Sequence, residues 1–201
     1  MKRLLTIAAF LLLCCSLLCA QTNEAEQEIP ASTEESEESE VSFNFHVLKK
    51  DDNYINLNIA LSIPARPTQL NIGGGVAIGY KHMISDLISV GGEASFSYNS
   101  TIGNNILYFI PLLAQVGIHP TFKNFEFAFT LGLGGAIENY LDRSYFGLAV
   151  KPEVEVFYKM FTEWSLGLTA GLYVLPQWYR DSSKNYTSLI PDIRIGAKYL
   201  F

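Results

Sequence analysis

Residues 187–201 read TSLIPDIRIGAKYLF and end on an aromatic side chain. Side chains along a β-strand point alternately to opposite faces, so positions of one parity share a face. From residue 189 on, the odd positions are Leu189, Pro191, Ile193, Ile195, Ala197, Tyr199 and Phe201. The even positions are Ile190, Asp192, Arg194, Gly196, Lys198 and Leu200. The pattern predicts a strand with one apolar face and one face that carries charges and glycine.

The same alternation runs through the chain from residue 54 onward, interrupted by turn-forming residues. It predicts seven further strands, at 54–63, 70–83, 88–99, 106–118, 125–138, 146–158 and 164–175. Loops are expected at 64–69, 100–105, 139–145 and 176–186, and turns at 84–87, 119–124 and 159–163. Residues 41–53 precede this series as an N-terminal extension or hairpin arm. The predicted fold is all-β, an eight-stranded antiparallel up-and-down transmembrane β-barrel over residues 54–201.

The face opposite the apolar one distinguishes a membrane barrel from a soluble one. On a soluble barrel it would be solvent-exposed and rich in charged residues, whereas here it is mostly Gly, Ala, Ser and Asn, which suits the crowded interior of a small barrel. Aromatic residues concentrate near the strand ends on the apolar face, as membrane interfaces favour. On the predicted periplasmic side these are Tyr80, Phe125, Tyr158, Trp164, Tyr199 and Phe201, and on the predicted outer side Tyr98, Tyr108 and Phe146.

The N-terminus has the layout of a secretory signal peptide over residues 1–20, because two basic residues precede an apolar run at 4–18 and the small residue Ala20 offers a cleavage site. All three cysteines, Cys14, Cys15 and Cys19, lie within it, so a mature chain would have no disulfide and no thiol ligand. A lipid-modified Cys19 is the competing interpretation of this segment.

Residues 21–40 are predicted to be an acidic disordered tail, since they carry eight glutamates and no basic residue. The formal net charge of −6 is the sum of −8 in the tail and +2 from the two basic residues at the N-terminus, because residues 41–201 hold 12 basic and 12 acidic side chains. A folded part without net positive charge lacks the electrostatic signature of nucleic-acid binding, so no nucleic-acid partner is expected.

Three segments follow the predicted signal peptide: LNIGGGVAIGYK at 70–81, IPLLAQVGIHP at 110–120 and IGAKYLF at 195–201. Together with the signal peptide they resemble the small eight-stranded outer-membrane barrels of the OmpX, OmpW and OmpA-transmembrane-domain type. The resemblance implies a location in the outer membrane of a diderm bacterium, contact with outer-membrane lipid, and recognition of the C-terminal strand by the barrel-assembly machinery. Small hydrophobic solutes and host molecules are further partners that it suggests.

The interior face carries ten charged side chains. Because buried charges must be paired, we expect them to interlock as ion pairs that plug the barrel, with those of the last strand pairing with those at 151–155. A polar conduit lined by the same side chains is the alternative. The candidates are Lys81, Glu93, Glu126, Glu138, Lys151, Glu153, Glu155, Asp192, Arg194 and Lys198.

Two other features bear on function. Pro111, Pro152 and Pro191 each remove a ladder hydrogen bond within a predicted strand, which implies either a local bulge or, by resemblance to the OmpW type, a seam through which a hydrophobic ligand leaves sideways. The 176–186 loop carries residue types that are frequent at binding hot spots, although its aromatics could equally belong to the outer girdle. These extracellular contact candidates are Trp178, Tyr179 and Arg180.

Little in the sequence points to catalysis. None of the three histidines, His46, His82 and His119, has a nameable partner on the predicted outer rim, so no catalytic residue, metal site or cofactor is expected. The predicted function is a non-enzymatic outer-membrane barrel of membrane-integrity or small-solute-passage type. A surface adhesin that acts through its extracellular loops is the alternative.

Overall fold

The computed structural model describes residues 47–101, 105–140, 143–179 and 182–201. All of them belong to one of the two units into which the chain divides, Ser42–Phe201. The predicted signal peptide, the predicted acidic tail and Arg180 lie outside the described residues. Among the described residues, no helix is long and apolar enough to cross a membrane.

Nine strands and one short 3-10 helix make up the described fold. The strands are β1 (Asn53–Ser62), β2 (Gly73–Met83), β3 (Ile88–Ser100), β4 (Ile106–Ile118), β5 (Thr121–Phe122), β6 (Phe125–Tyr140), β7 (Arg143–Lys159), β8 (Trp164–Gln177) and β9 (Tyr186–Leu200). The 3-10 helix, Ser182–Lys184, lies between β8 and β9.

Eight of the strands close into an antiparallel barrel. Their order is β4-β3-β2-β1-β9-β8-β7-β6, and β4 pairs with β6 to complete the ring, while the two-residue β5 pairs beside β6. The last strand pairs with the first from Tyr54↔Leu200 to Ser62↔Asp192. Closure gives each of these eight strands a paired neighbour on both sides, as a lipid environment requires of a spanning sheet. The prediction of an eight-stranded antiparallel barrel is confirmed.

Two connections differ from the prediction. The loop expected at 139–145 is wrong, because β6 and β7 continue as a ladder as far as Tyr140↔Arg143 and leave only residues 141–142 between them. Polar residues can extend this hairpin, and Asn139 Nδ2 donates across it to Ser144 Oγ at 3.0 Å. The turn expected at 119–124 contains the short strand β5, which forms a tight hairpin with the start of β6.

The outer surface of the barrel is apolar over most of its height. A soluble protein rarely exposes so continuous an apolar surface, whereas a membrane barrel presents it to lipid. The aliphatic side chains of this surface that are at least about half exposed include Leu57, Ile59, Val76, Ile78, Leu112, Val116, Leu131, Leu133, Leu168, Ile193 and Ile195. Leu70 was expected on this face, but it precedes β2 and is 9% exposed on the inner side.

The two ends of the barrel differ in structure. One end, here called the terminal end, carries the start of β1, the end of β9 and the turns at 84–87, 119–124 and 160–163. There the residues before β1 contribute Leu48, which is 4% exposed and packs with Tyr54 and Met83 in a small apolar cluster. The opposite end, here called the loop end, carries the connections at 63–72, 101–105, 141–142 and 178–185. The interior between the two ends is where the predicted polar residues meet.

Candidate functional site in the barrel interior

All ten predicted interior charges lie inside the barrel, and each is at most 5% exposed. They divide into a cluster of five, two separate ion pairs and one isolated carboxylate. The five are Glu93, Lys151, Glu153, Asp192 and Arg194, here called the central ion cluster. The two pairs are Lys81 with Glu155 and Lys198 with Glu126, and the isolated carboxylate is Glu138.

Arg194 is the hub of the central ion cluster. Its guanidinium binds Glu93 through two donors, with Nη1 donating to Oε2 at 2.8 Å and Nη2 to Oε1 at 3.1 Å, and its Nε donates to Asp192. The Lys151 ammonium lies 3.0 Å from Glu93 Oε1 and 2.5 Å from Glu153 Oε2. Two cations therefore neutralise most of the charge of three carboxylates, which a buried ionic group requires.

Neutral side chains complete this cluster. The Tyr173 hydroxyl lies 2.5 Å from Arg194 Nη2 and 2.7 Å from Ser95 Oγ, and its ring lies 4.7 Å from the Lys151 ammonium. Gln115 Nε2 donates to Glu153 Oε1 at 2.7 Å. The Asp192 carboxylate lies so close to the backbone of β8 that a Cβ on Gly171 would be only 2.6 Å from Asp192 Oδ1. The interior is therefore filled to side-chain contact at this level.

The two separate ion pairs lie nearer the terminal end. The Lys81 ammonium contacts Glu155 Oε1 at 2.5 Å and donates to Thr130 Oγ1 at 3.0 Å. Lys198 contacts Glu126 Oε1 at 2.5 Å. The sequence-based prediction that the charges of the last strand pair with those at 151–155 is therefore wrong for Lys198. The reason is that its partner lies across the barrel on β6, and such proximity depends on how the sheet closes.

His119 has partners that the sequence did not reveal. Its Nε2 lies 2.7 Å from Ser89 Oγ and its Nδ1 lies 3.1 Å from Glu126 Oε1, which is the order of contacts in a Ser–His–acid triad. Ser89 is fully buried, and the Tyr54 hydroxyl also lies 3.4 Å from Nε2. A nucleophile needs a space about 3 Å away for the reacting atom, and here buried side chains occupy the surroundings of the hydroxyl.

An apolar layer lies between the central ion cluster and the loop end. On β7, β8 and β9 the next inward position towards the loop end is apolar. It is Ala149 next to Lys151, Leu175 next to Tyr173, and Ile190 next to Asp192. These side chains pack with Phe109, Leu113 and Ala136 in one buried cluster. The ionic and apolar side chains thus occupy successive levels of the described interior.

Beyond the apolar layer, the loop end encloses a cavity of about 540 Å³. Glu138 is the charged residue of its described lining, and its Oε2 accepts a hydrogen bond from Gln177 Nε2 at 2.6 Å. The remaining described lining consists of Pro67, Gln69, Leu70, Thr101, Leu107, Tyr145, Gln177, Tyr179, Tyr186 and Ser188. Among the described residues, no group of three or more His, Cys, Asp or Glu side chains is arranged to hold a metal ion.

The predicted interface aromatics lie on the outside of the barrel near its two ends. At the terminal end they contact one another, with ring centroids 4.8 Å apart for Trp164 and Tyr199 and 5.3 Å apart for Phe125 and Tyr158. Tyr108 and Tyr199 are part-buried. Those that are 44–74% exposed are Tyr80, Tyr98, Phe125, Phe146, Tyr158, Trp164 and Phe201.

Two of the three predicted loop contacts can be placed. Trp178 is 60% and Tyr179 44% exposed, so both present aromatic surface at the loop end. The backbone of each is held by a hydrogen bond. The Trp178 backbone N–H donates to the Tyr145 hydroxyl at 2.9 Å, and the Tyr179 backbone N–H donates to Asn185 Oδ1 at 2.8 Å.

The sequence did not single out several residues that the structure places in the network. Tyr173, Gln115 and Thr130 all have the inward parity of their strands, so parity alone would have included them. Their side chains are neutral, so unlike the ten charges they carry no signal in the sequence that marks them as members of an ionic network.

The closed ring, the apolar exterior and the filled interior define a class: this is a small eight-stranded transmembrane barrel of the outer-membrane type. A protein-family model matches residues 33–199, which include nearly the whole barrel, and the chain belongs to the family which that model describes.

Sequence relatives include two uncharacterised proteins of Treponema pallidum (strain Nichols). One is 28% identical over 133 residues, which are 64% of this chain and 59% of that protein. The other is 27% identical over 109 residues, which are 50% of this chain and 38% of that protein. The matched regions thus span about half the length of these relatives.

Similar solved structures are outer-membrane barrels. The chain matches the outer membrane protein OprG of Pseudomonas aeruginosa with a TM-score of 0.54 at 11% identity, covering 79% of this chain and 99% of that one. It matches Neisserial surface protein A with a TM-score of 0.53 at 11% identity (73% and 96% covered). It matches Ail, the attachment invasion locus protein of Yersinia pestis, with a TM-score of 0.51 at 11% identity (76% and 99% covered). At these identities the likeness concerns the fold.

Proposed function

We propose that this chain is an integral outer-membrane protein that contributes to membrane integrity as a closed, non-conducting barrel and catalyses no reaction. The single observation that carries this proposal is the filled interior, in which the central ion cluster and the apolar layer occupy successive levels. An eight-stranded barrel is just wide enough for side chains to fill. In this proposal the terminal end faces the periplasm, the barrel-assembly machinery recognises β9, and the loop end faces outside.

The filled interior predicts that the protein does not conduct ions through its centre. Refolded protein added to a planar lipid bilayer should give no discrete conductance steps, while a water-filled porin in the same bilayer gives them. Regular steps whose cation preference changes in the Arg194→Met variant would mean that ions pass the central ion cluster, and the barrier role would then be wrong.

The absence of catalysis is proposed despite the Ser89–His119–Glu126 contacts. Glu126 is already engaged by Lys198, and the Ser89 hydroxyl is enclosed between Tyr54 and His119. Small esters that acylate accessible serines should therefore leave Ser89 unmodified in the folded barrel, as mass spectrometry can measure. Acylation that the His119→Ala variant abolishes would refute a purely structural role for these residues.

Sideways passage of hydrophobic solutes is a second candidate, supported by the β7–β8 seam. These strands pair from Lys159↔Ser165 to Glu153↔Gly171, skip the level of Pro152, and pair again only at Val150↔Val174. By contrast, β6 and β7 pair without interruption from Phe125↔Tyr158 to Tyr140↔Arg143. Proline supplies no N–H to a ladder, which explains the gap at Pro152.

A disulfide across this seam tests the second candidate. Val150→Cys with Val174→Cys joins β7 to β8, and Val150→Cys with Leu133→Cys joins β7 to β6 as a matched control, since both pairs are in register. If solutes leave through the seam, oxidation should slow the uptake of a hydrophobic compound only in the β7–β8 variant, and a reductant should restore it. Equal uptake in both oxidised variants would rule this route out.

A further inference from the structure

The loop-end cavity has the size and lining of a ligand site. Its volume of about 540 Å³ lies within the roughly 300–1,000 Å³ that is usual for small-molecule sites. Three tyrosines, Tyr145, Tyr179 and Tyr186, contribute to its wall, and Gln69 at its rim is exposed. None of the described lining residues is basic, and Glu138 is the acidic residue among them.

Glu138 differs from the other interior carboxylates in having no cationic partner among the described residues. It is 3% exposed, and one carboxylate oxygen, Oε2, is bound by Gln177. The other oxygen, Oε1, is buried without a hydrogen-bond partner. A buried carboxylate without a counter-charge is costly to a fold, whereas Glu93, Glu126 and Glu155 each have a Lys or Arg within 3.0 Å.

A chain of two hydrogen bonds holds the orientation of the Glu138 carboxylate. The Tyr179 hydroxyl donates to Gln177 Oε1 at 3.0 Å, and Gln177 in turn donates to Glu138 Oε2 at 2.6 Å. The rings of Tyr145 and Tyr179 lie 5.7 Å apart, centroid to centroid. A fixed carboxylate in a cavity lined by tyrosine rings can attract a cation with an apolar body. One carboxylate supplies too few ligands for a Ca²⁺ ion, which takes six to eight oxygens.

We propose that the loop-end cavity binds a small organic cation, in which a protonated amine or quaternary ammonium group is attached to an apolar body and Glu138 is its counter-ion. The cation takes the free oxygen Oε1, and the apolar body lies against the tyrosines. This binding role is separate from the barrier role, because the cavity lies on the loop-end side of the apolar layer.

Binding can be measured with phenethylamine as the probe, which is protonated at pH 7.5. The chain has two tryptophans, so the Trp164→Phe background leaves Trp178, beside Tyr145 at the cavity, as the sole tryptophan reporter in protein refolded in detergent micelles. We expect a saturable change in fluorescence with phenethylamine and a much weaker one with phenethyl alcohol, its neutral counterpart. Glu138→Gln should weaken amine binding at least tenfold, whereas Glu163→Gln, at the terminal end, should leave it unchanged.

A second pair of variants keeps the test decisive if Glu138→Gln does not fold. Gln69 is exposed at the rim, so charge can be added there with little effect on packing. Gln69→Lys supplies a competing ammonium group and should weaken amine binding at least fivefold, whereas Gln69→Glu should preserve or strengthen it. Equal affinity of the two Gln69 variants, equal affinity for the alcohol and the amine, or an equal response to Ca²⁺ would each overturn the proposal.

Discussion

The replacement of Arg194 by methionine measures how much the interior depends on charge balance. In the wild-type protein, Arg194 and Lys151 face three carboxylates in the central ion cluster. The substitution keeps much of the side-chain volume but leaves Lys151 alone with Glu93, Glu153 and Asp192. Removing one partner of a buried ion pair typically costs about 3–5 kcal/mol, and we expect Arg194→Met to lower the free energy of unfolding by about that amount.

The second step restores the charge balance. Glu93 accepts two hydrogen bonds from the Arg194 guanidinium, so Arg194→Met leaves the Glu93 carboxylate with two fewer partners. Adding Glu93→Gln removes the charge of that carboxylate. The double variant should therefore lose less stability than the sum of the two single variants, with a coupling energy of about 1–3 kcal/mol. Urea unfolding in phospholipid vesicles, followed by the fluorescence of Trp164 and Trp178, measures each value.

A surface control separates charge balance from a general effect of methionine. Lys50 is exposed before β1, and Lys50→Met should change the free energy of unfolding by no more than about 0.5 kcal/mol. The reasoning would be refuted if the effects of Arg194→Met and Glu93→Gln added to within about 0.5 kcal/mol, because each side chain would then act independently of the other.

Three further predictions follow from particular positions. Gly171→Ala places a Cβ 2.6 Å from Asp192 Oδ1 and 2.9 Å from Lys151 Cε, and should lower the free energy of unfolding in urea by about 1–3 kcal/mol. As the control, Gly74→Ala places a Cβ no nearer than 3.5 Å to its neighbours and should lower the free energy of unfolding by less than about 1 kcal/mol. Ile195→Arg, at a position 68% exposed on the outer face, should cost about 2–4 kcal/mol in a bilayer if it lies near the midplane, while Phe122→Arg in the β5 turn should cost no more than about 1 kcal/mol. Phe201→Ala, whose side chain is 59% exposed, should lower the yield of membrane-inserted protein in cells while changing the unfolding free energy of refolded protein by less than about 1 kcal/mol. An unchanged yield would contradict recognition of β9 through Phe201.

Alternation predicted the barrel and the inward direction of its charges because both follow from the two-residue period of a strand. The same rule failed at strand ends. Leu70 lies before the first residue of β2, where the period does not hold, and the hairpin at 141–142 continues past the apolar residues that suggested where β6 ends.

The partners of the interior charges could not be predicted from the sequence. Lys198 and Glu126 are 72 residues apart on strands that are not adjacent in the sheet, and they meet only because the barrel closes. The register between neighbouring strands follows from the hydrophobic pattern, but proximity across the interior also depends on strand tilt and stagger. For the same reason, the pattern could not show that Glu138 has no counter-charge among the described residues.

The order of layers inside the barrel explains why Glu138 stands apart. On β6, the inward position next to Glu138 on the side of the barrel centre is Ala136, which belongs to the apolar layer. On β8, Leu175 of the same layer lies between Gln177 and Tyr173 on the inward face. The side chain of Lys151 or Arg194 would have to cross this layer to reach Glu138. It would then no longer neutralise the carboxylates of the central ion cluster that it contacts. Apolar side chains therefore separate the central ion cluster from the loop-end cavity. It follows that Arg194→Met should leave amine binding at the cavity unchanged, and that Glu138→Gln should leave the coupling between Arg194 and Glu93 intact.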